Sequence, residues 1–371
     1  MNPLAVLHVN TEPDWRGGEA QTLMLARGLV ERGHKSILAV LRGSALEKAA
    51  RAQGLEVVAL PMRGEFDPVS IMGIARTIRR NRVDILHYHT SHAVTLGTLA
   101  TYIAGRRPAV LTRRVSFSLR RNPAARVKYA LRIDHLIAVA DGVRWIMIAD
   151  GSPPDRVSVI HSGIDLARFG RPRDRGLIER EFGIPPDAFL VGAVSHLAAH
   201  KGIEVLLEAL AGVVPEVPSV RLLIVGEGSE RASLESAAST GPLAGRAVFA
   251  GFRDDVPALM ASLDLFVLPS LSGEGSPAVL KEAMASGVAP VATDLDGIRE
   301  IVEDGREALL VPPGDAGKLG RAVKDLARDP ARRAAMAEAG RSRVREFSSQ
   351  LMVDRTIEIY RQVMQRRGAR G

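Results

Sequence analysis

The chain has 371 residues, 46% hydrophobic and 25% charged, with 35 Gly, 21 Pro and no Cys. That balance excludes disordered and collagen-like chains, and the missing cysteines exclude disulfides, thiolate metal sites and a cysteine nucleophile. At roughly 150 residues per domain the length predicts two domains, and no apolar run approaches the ~18 residues of a membrane span. Met1–Asn10 reads as a first strand and not as a signal peptide, so a cytoplasmic protein is expected. Net charge is +8: residues 1–168 carry 24 basic and 14 acidic side chains, and the remainder 26 and 28. The excess thickens between Arg106 and Arg132, where Arg106, Arg107, Arg113, Arg114, Arg120, Arg121, Arg126, Lys128 and Arg132 meet no acid. Such a face attracts phosphates, on a bilayer surface or on an anionic substrate. Aromatics at 4% and the lack of a recognition motif argue against nucleic acid.

In chain order, strand-like runs fall at 4–10, 36–41, 56–62, 84–89, 109–115, 135–140 and 156–161, separated by amphipathic stretches. Ser44 and Glu47 have capping-box spacing, and Asp67-Pro68 supplies an N-cap and a first-turn proline. The pattern restarts at 189–196, 220–228, 247–252, 265–270, 288–294 and 307–312, and helices follow from about 315 to 367. Continuous apolar strands alternating with helices predict parallel sheets covered on both faces. Gly163 to Pro186, rich in Gly, Pro and charge, reads as a linker. The expectation is two tandem doubly wound α/β domains facing a cleft, residues 1–168 and 169–347, with a last helix at about 348–371.

The most informative segment is Glu274-Gly-Ser-Pro-Ala-Val-Leu-Lys-Glu282, between a buried strand and a helix beginning near Pro277. Free N–H groups of Gly275 and Ser276 at that helix start suit an anion or a polyol. Two carboxylates at this spacing suit the vicinal hydroxyls of a sugar nucleotide, because a carboxylate accepts two hydrogen bonds. Trp15-Arg16-Gly17-Gly18-Glu19 places two glycines at another helix start, where backbone can approach a phosphate closely. His87-Tyr88-His89-Thr90-Ser91-His92 closes the fourth strand, with His87 and His89 on one side as an acceptor or acid–base site. No carboxylate stands at ligand spacing beside these histidines, so no metal site is expected there. Gly226-Glu227-Gly228 begins like a dinucleotide fingerprint, but Arg231 occupies the third glycine position.

The glutamate-seven-residues-glutamate pattern and the following Glu-Ala-Met-Ala-Ser-Gly resemble the signature of retaining glycosyltransferases of family 4, which have the GT-B fold. The resemblance covers nearly the whole chain. It implies a hexosyltransferase that moves a sugar from a nucleoside diphosphate to a glycan or lipid-linked acceptor, in cell-envelope polysaccharide or lipopolysaccharide synthesis. It also implies no metal and no other cofactor, acceptor binding in the first domain and donor binding in the second; the basic stretch Arg106–Arg132, in the half expected to bind acceptor, points to a peripheral place on an anionic membrane surface or to a phosphorylated, lipid-linked acceptor. Carried onto this sequence, Lys201 meets the pyrophosphate, Glu274 holds the sugar and Glu282 the ribose. Gly17, Gly18, Gly275, Ser276 and Pro277 border the donor, and Gly226, Phe252 and Arg253 surround the nucleoside. His196 stands where the family shows an arginine. The family's histidine after the fifth strand is replaced by Thr112-Arg113-Arg114, so that role falls either to an arginine, Arg114, or to His89 from the neighbouring strand. Asp294-Leu295-Asp296 mimics the metal-binding triplet of another glycosyltransferase fold and reads as a loop. The alternatives are another sugar-nucleotide enzyme of the same fold, an epimerase or phosphorylase, and a noncatalytic binder.

Overall fold

The computed structural model describes residues 3–114 and 132–368. The chain divides into two units, Met1–Gly163 with Ser349–Gly371, and Ile164–Ser348. In the first, β1 (Ala5–Asn10), β2 (Lys35–Leu41), β3 (Glu56–Leu60), β4 (Ile85–Tyr88), β5 (Ala109–Arg113), β6 (His135–Ala138) and β7 (Val157–Val159) form a parallel sheet, ordered β3-β2-β1-β4-β5-β6-β7. The helices α1 (Gly17–Glu31), α2 (Ala45–Ala52), α3 (Pro68–Arg80) and α4 (Ser91–Ala104) cross between the first five strands.

Local chemistry starts these helices where the sequence signals stand. Ser44 Oγ accepts the Glu47 N–H at 3.2 Å, and the Glu47 carboxylate returns to the Gly43 N–H at 2.7 Å. Asp67 Oδ1 caps α3 through the Val69 N–H at 3.2 Å, with Pro68 in the first turn. Period-two alternation then sorts the strands. Leu7, Val9, Leu86 and Tyr88 face one core with α3 and α4. Val6, Ile85, Val110 and Ile137 face another, built with Val353, Ile357, Tyr360 and Val363 of the final helix, Ser349–Gly368. Full burial of each such apolar side chain is worth ~1.5–3 kcal/mol, which fixes that helix to the first sheet.

The second unit repeats the plan: β8 (Phe189–Val194), β9 (Val220–Val225), β10 (Ala247–Gly251), β11 (Leu265–Leu268), β12 (Pro290–Thr293) and β13 (Leu309–Val311) form a parallel sheet ordered β10-β9-β8-β11-β12-β13. Its two faces are covered by separate apolar cores.

One expectation needs correction. The segment read as a linker belongs to the second unit: it forms helices Leu166–Phe169 and Arg175–Phe182, and Ile164, Phe169, Ile178 and Ile184 are buried in that unit's core. The boundary therefore falls at Gly163/Ile164 and not at 168/169. These scattered apolar side chains decide it, and the Gly, Pro and charge around them masked that signal.

Part of the basic stretch is paired in space. Arg113 forms a buried ion pair with Asp150 at 3.3 Å, and Arg106 reaches Asp134 at 3.5 Å. Arg107 bonds the Val83 carbonyl at 2.9 Å, Arg132 lies over the Tyr102 ring at 3.4 Å, and Arg114 turns into the site described below. Absence of acid along the chain is therefore not absence in space. Arg120, Arg121, Arg126 and Lys128 lie outside the described residues. Among the described residues, no helix is long and apolar enough to cross a membrane.

Candidate active site

Each sheet reverses its winding once, between β1 and β4 and between β8 and β11. At such a switch point the chains leaving neighbouring strands diverge to opposite faces, and a crevice opens at their carboxyl ends. Part of the sequence-predicted set collects at these two places, while Gly226 follows β9, Phe252 and Arg253 follow β10, and Arg114 follows β5. Trp15 to Gly18 follow β1 and His89 follows β4; His196 to Lys201 follow β8 and Glu274 to Pro277 follow β11.

In the second unit a single carboxylate gathers the loops. Lys201 Nζ donates to Glu274 Oε1 at 2.7 Å, and Ser270 Oγ donates to the same oxygen at 2.6 Å. Thr293, ending β12, donates through its hydroxyl to the Ser270 carbonyl at 2.6 Å. Two glycines make this convergence sterically possible. Gly202 has φ +66°, and a Cβ there would stand 2.1 Å from the Pro269 carbonyl oxygen. Gly226 has φ +137°, and a Cβ there would stand 1.8 Å from the Ser195 carbonyl oxygen.

The turn after Glu274 is aimed by its packing. A Cβ on Gly297 would lie 2.2 Å from the Glu274 carbonyl oxygen and 2.3 Å from that of Gly275, so both carbonyls rest on Gly297. In a trans peptide the following N–H points the opposite way. The Gly275 and Ser276 N–H groups therefore face away from Gly297, beside the start of the helix Ala278–Ala285. Pro277 is that helix's N-cap residue, and no side chain caps the helix. Glu282 lies in its second turn, half-buried, and burial pushes its carboxyl up to about 7 against the opposing pull of Arg168 and Lys281. His196 and Phe252 are exposed, Phe252 at 65%. Arg253 is held by Asp255 and Glu181, at 2.6 and 2.7 Å. Asp294 is engaged bidentately by Arg299, which occupies the acidic triplet's first carboxylate.

In the first unit, β1 and β4 are in register at His8 and His87, so these side chains share a face with His89. The His87 and His89 rings stack at 4.3 Å, and His8 Nδ1 lies 3.0 Å from His89 Nε2. Arg114 reaches His89 Nδ1 at 3.3 Å. A guanidinium only donates, so we assign His89 Nδ1 as acceptor and His89 Nε2–H as donor to His8. The His8 proton then sits on Nε2, buried without a hydrogen-bond partner. Burial pushes His8 down to about 3 and holds His87 and His89 well below the usual imidazole range, with neighbouring Arg114 adding to each shift. Burial also pushes Arg114 down to about 10, opposed by Glu19. Glu19 itself accepts from Asn10 at 3.2 Å and from the Arg16 N–H at 3.1 Å.

His87 departs from its expected acceptor role. Its nitrogens meet the Tyr360 hydroxyl at 2.6 Å and the Thr112 hydroxyl at 2.7 Å, so it ties the last helix to the sheet. His92 sits on the surface, 3.5 Å from Glu65. His8, His87 and His89 each place one nitrogen within 4.8 Å of the others. Several of these nitrogens already have partners: His8 Nδ1 and His89 Nε2 meet each other, and both His87 nitrogens meet hydroxyls. Gly17 and Gly18 have ordinary backbone, and a Cβ on either would meet nothing closer than Arg114 Cδ, 3.6 Å from Gly18. The fold itself does not require glycine at the start of α1.

Two family models match successive parts of the chain: Glycosyltransferase Family 4 over residues 15–168, and Glycosyl transferases group 1 over residues 174–343. The phosphatidyl-myo-inositol mannosyltransferase of Mycolicibacterium smegmatis is 32% identical over 94% of this chain and 90% of its own length. The chain is a family 4 glycosyltransferase of group 1. The enzyme is also 33% identical to the lipopolysaccharide core glycosyltransferase LpsE of Rhizobium meliloti, over 47% of this chain and 50% of that one. Anabaena HepE, solved with UDP-glucose, superposes with a TM-score of 0.86 at 24% identity, covering 97% of this chain and all of that one. The fold is GT-B, as the motif implied. Residues that sequence reasoning missed are His8, Ser270, Thr293 and the buried Lys281. Ser270 and Lys281 lie in or beside the Glu274–Glu282 segment, whereas strand order brings His8 to His89 and Thr293 to Ser270.

Proposed function

We propose that the enzyme transfers a hexosyl unit, with retention and without a metal, from a nucleoside diphosphate sugar to a glycan or lipid-linked acceptor of the cell envelope. The observation that carries this is the meeting of Lys201, Glu274 and the outward Gly275 and Ser276 N–H groups at the β8/β11 switch point. That combination supplies a cation and backbone donors for a diphosphate, with a preset carboxylate for sugar hydroxyls. The family signature supports retention, and UDP-glucose in HepE supports a sugar-nucleotide donor.

In this reading Lys201 and the two N–H groups stabilise charge growing on the leaving diphosphate, while Glu274, locked by Ser270, orients the sugar. Glu282 accepts the ribose hydroxyls. His196, Gly226, Phe252 and Arg253 border the nucleoside, and Pro277 sets the helix start. Gly17 and Gly18 border the donor diphosphate and the acceptor, and either Arg114 or His89 takes the role of the family's histidine near the transferred sugar. Calorimetry with a nucleoside diphosphate tests the core of it: Glu282→Ala is expected to weaken binding by ~1–3 kcal/mol, the scale of charged hydrogen bonds. Unchanged affinity would remove Glu282 from the site.

The acceptor's class and a peripheral place on an anionic membrane are supported by the glycolipid and lipopolysaccharide enzymes among the relatives. Flotation with anionic and neutral vesicles is expected to recover the enzyme only with anionic ones, and less at high salt, given a Debye length of about 8 Å at physiological ionic strength. Equal recovery from both would leave the acceptor soluble.

A further inference from the structure

We infer that Lys281 is a positioning residue that holds the Gly275–Ser276 turn in its diphosphate-binding shape through a bond to Ser276. The inference deepens the donor-site reading and rests on it. Lys281 is fully buried inside the helix Ala278–Ala285, and its Nζ donates to Ser276 Oγ at 2.9 Å. The same ammonium stands 5.2 Å from the centre of the Phe347 ring. Burying an ammonium is costly, and a leucine or methionine would fill this interior position without that penalty. Burial correspondingly pushes the amine down to about 7, with Glu282 and Glu300 opposing the shift.

What the lysine gains is a fixed turn. On one side the Glu274 and Gly275 carbonyls rest on Gly297. On the other, Lys281 grips the side chain of the residue whose N–H belongs to the proposed anion cradle. Held at both flanks, the two N–H groups keep their direction before the donor arrives, and preorganised donors cost no reorganisation during the reaction. Lys281 touches no donor atom in this scheme; it acts through Ser276.

The test is a double-mutant cycle on Lys281→Met and Ser276→Ala, read by calorimetry with UDP and GDP and by steady-state kinetics. Methionine keeps the volume and removes the donor. Each single variant is expected to raise Kd for the nucleoside diphosphate, and KM for the donor, by about tenfold or more, the scale of one charged hydrogen bond. KM for the acceptor should stay unchanged. The double variant should bind no worse than either single one, because both cut the same link. Wild-type affinity in Lys281→Met, or losses that multiply in the double variant, would overturn the inference while leaving the donor site standing. A wild-type enzyme that binds neither nucleotide would overturn the donor-site reading itself. Ser276→Ala leaves the buried position intact, so it carries the test alone if Lys281→Met folds poorly.

Discussion

Lys201→Ala is expected to lower kcat by about 10²–10³-fold, the usual loss for one transition-state donor. In glycosyl transfer the sugar passes through an oxocarbenium-like state, while negative charge accumulates on the departing diphosphate. Lys201 is well placed to meet that charge: it sits in a short turn between β8 and the helix Ile203–Val213, anchored by Glu274 at 2.7 Å. Its removal does two things at once. It deletes the cation, and it leaves the largely buried Glu274 carboxylate with Ser270 as its remaining named partner, where it would repel the diphosphate. The measurement is kcat at saturating donor, alongside nucleotide affinity. A loss of only a fewfold would place the charge stabilisation elsewhere. EDTA is expected to leave the wild-type rate unchanged; inhibition reversed by Mg²⁺ or Mn²⁺ would bring a metal into the reaction.

Gly202→Ala is expected to cost about 2 kcal/mol or more in stability and to damage catalysis with it. Left-handed backbone at a non-glycine residue costs ~1–2 kcal/mol, and this added Cβ would also stand 2.1 Å from the Pro269 carbonyl oxygen. That oxygen is backbone, so the loop after β8 and the loop after β11 must separate. These are the loops that bring Lys201 to Glu274, so the same shift should break their 2.7 Å contact. At ~2–4 °C per kcal/mol for a domain of this size, calorimetry should show a midpoint lower by roughly 4–8 °C. Gly183→Ala is the control: its φ of +65° is similarly left-handed, yet a Cβ there meets nothing within 4 Å. If both variants lose the same stability, strain alone explains the effect and the steric link between the two loops is refuted.

Much of the fold was legible because parallel α/β structure writes itself locally. All thirteen strand-like runs became strands, since each is a short apolar segment bounded by caps, glycine or proline. The Glu274–Glu282 motif was legible for the same reason: a loop, a helix start and a helix position lie within nine residues of one another. Its reading stopped at the loop's orientation, which depends on Gly297 packing behind it.

By itself, then, the sequence determined the strand-and-helix alternation, the restart that makes two units, and the family signature. These depend on period, capping and spacing, which act over a few residues. Tertiary structure alone decided what joins what. His8 meets His89 across 81 positions because β1 and β4 are neighbours in the sheet, and His87 meets Tyr360 across 273 because the last helix covers that face. It also decided that Arg113 is spent on Asp150, and that Lys281 is fully buried with its ammonium on Ser276. Strand order and register set these contacts, and both are chosen by the burial of whole sheet faces, a property no short segment carries.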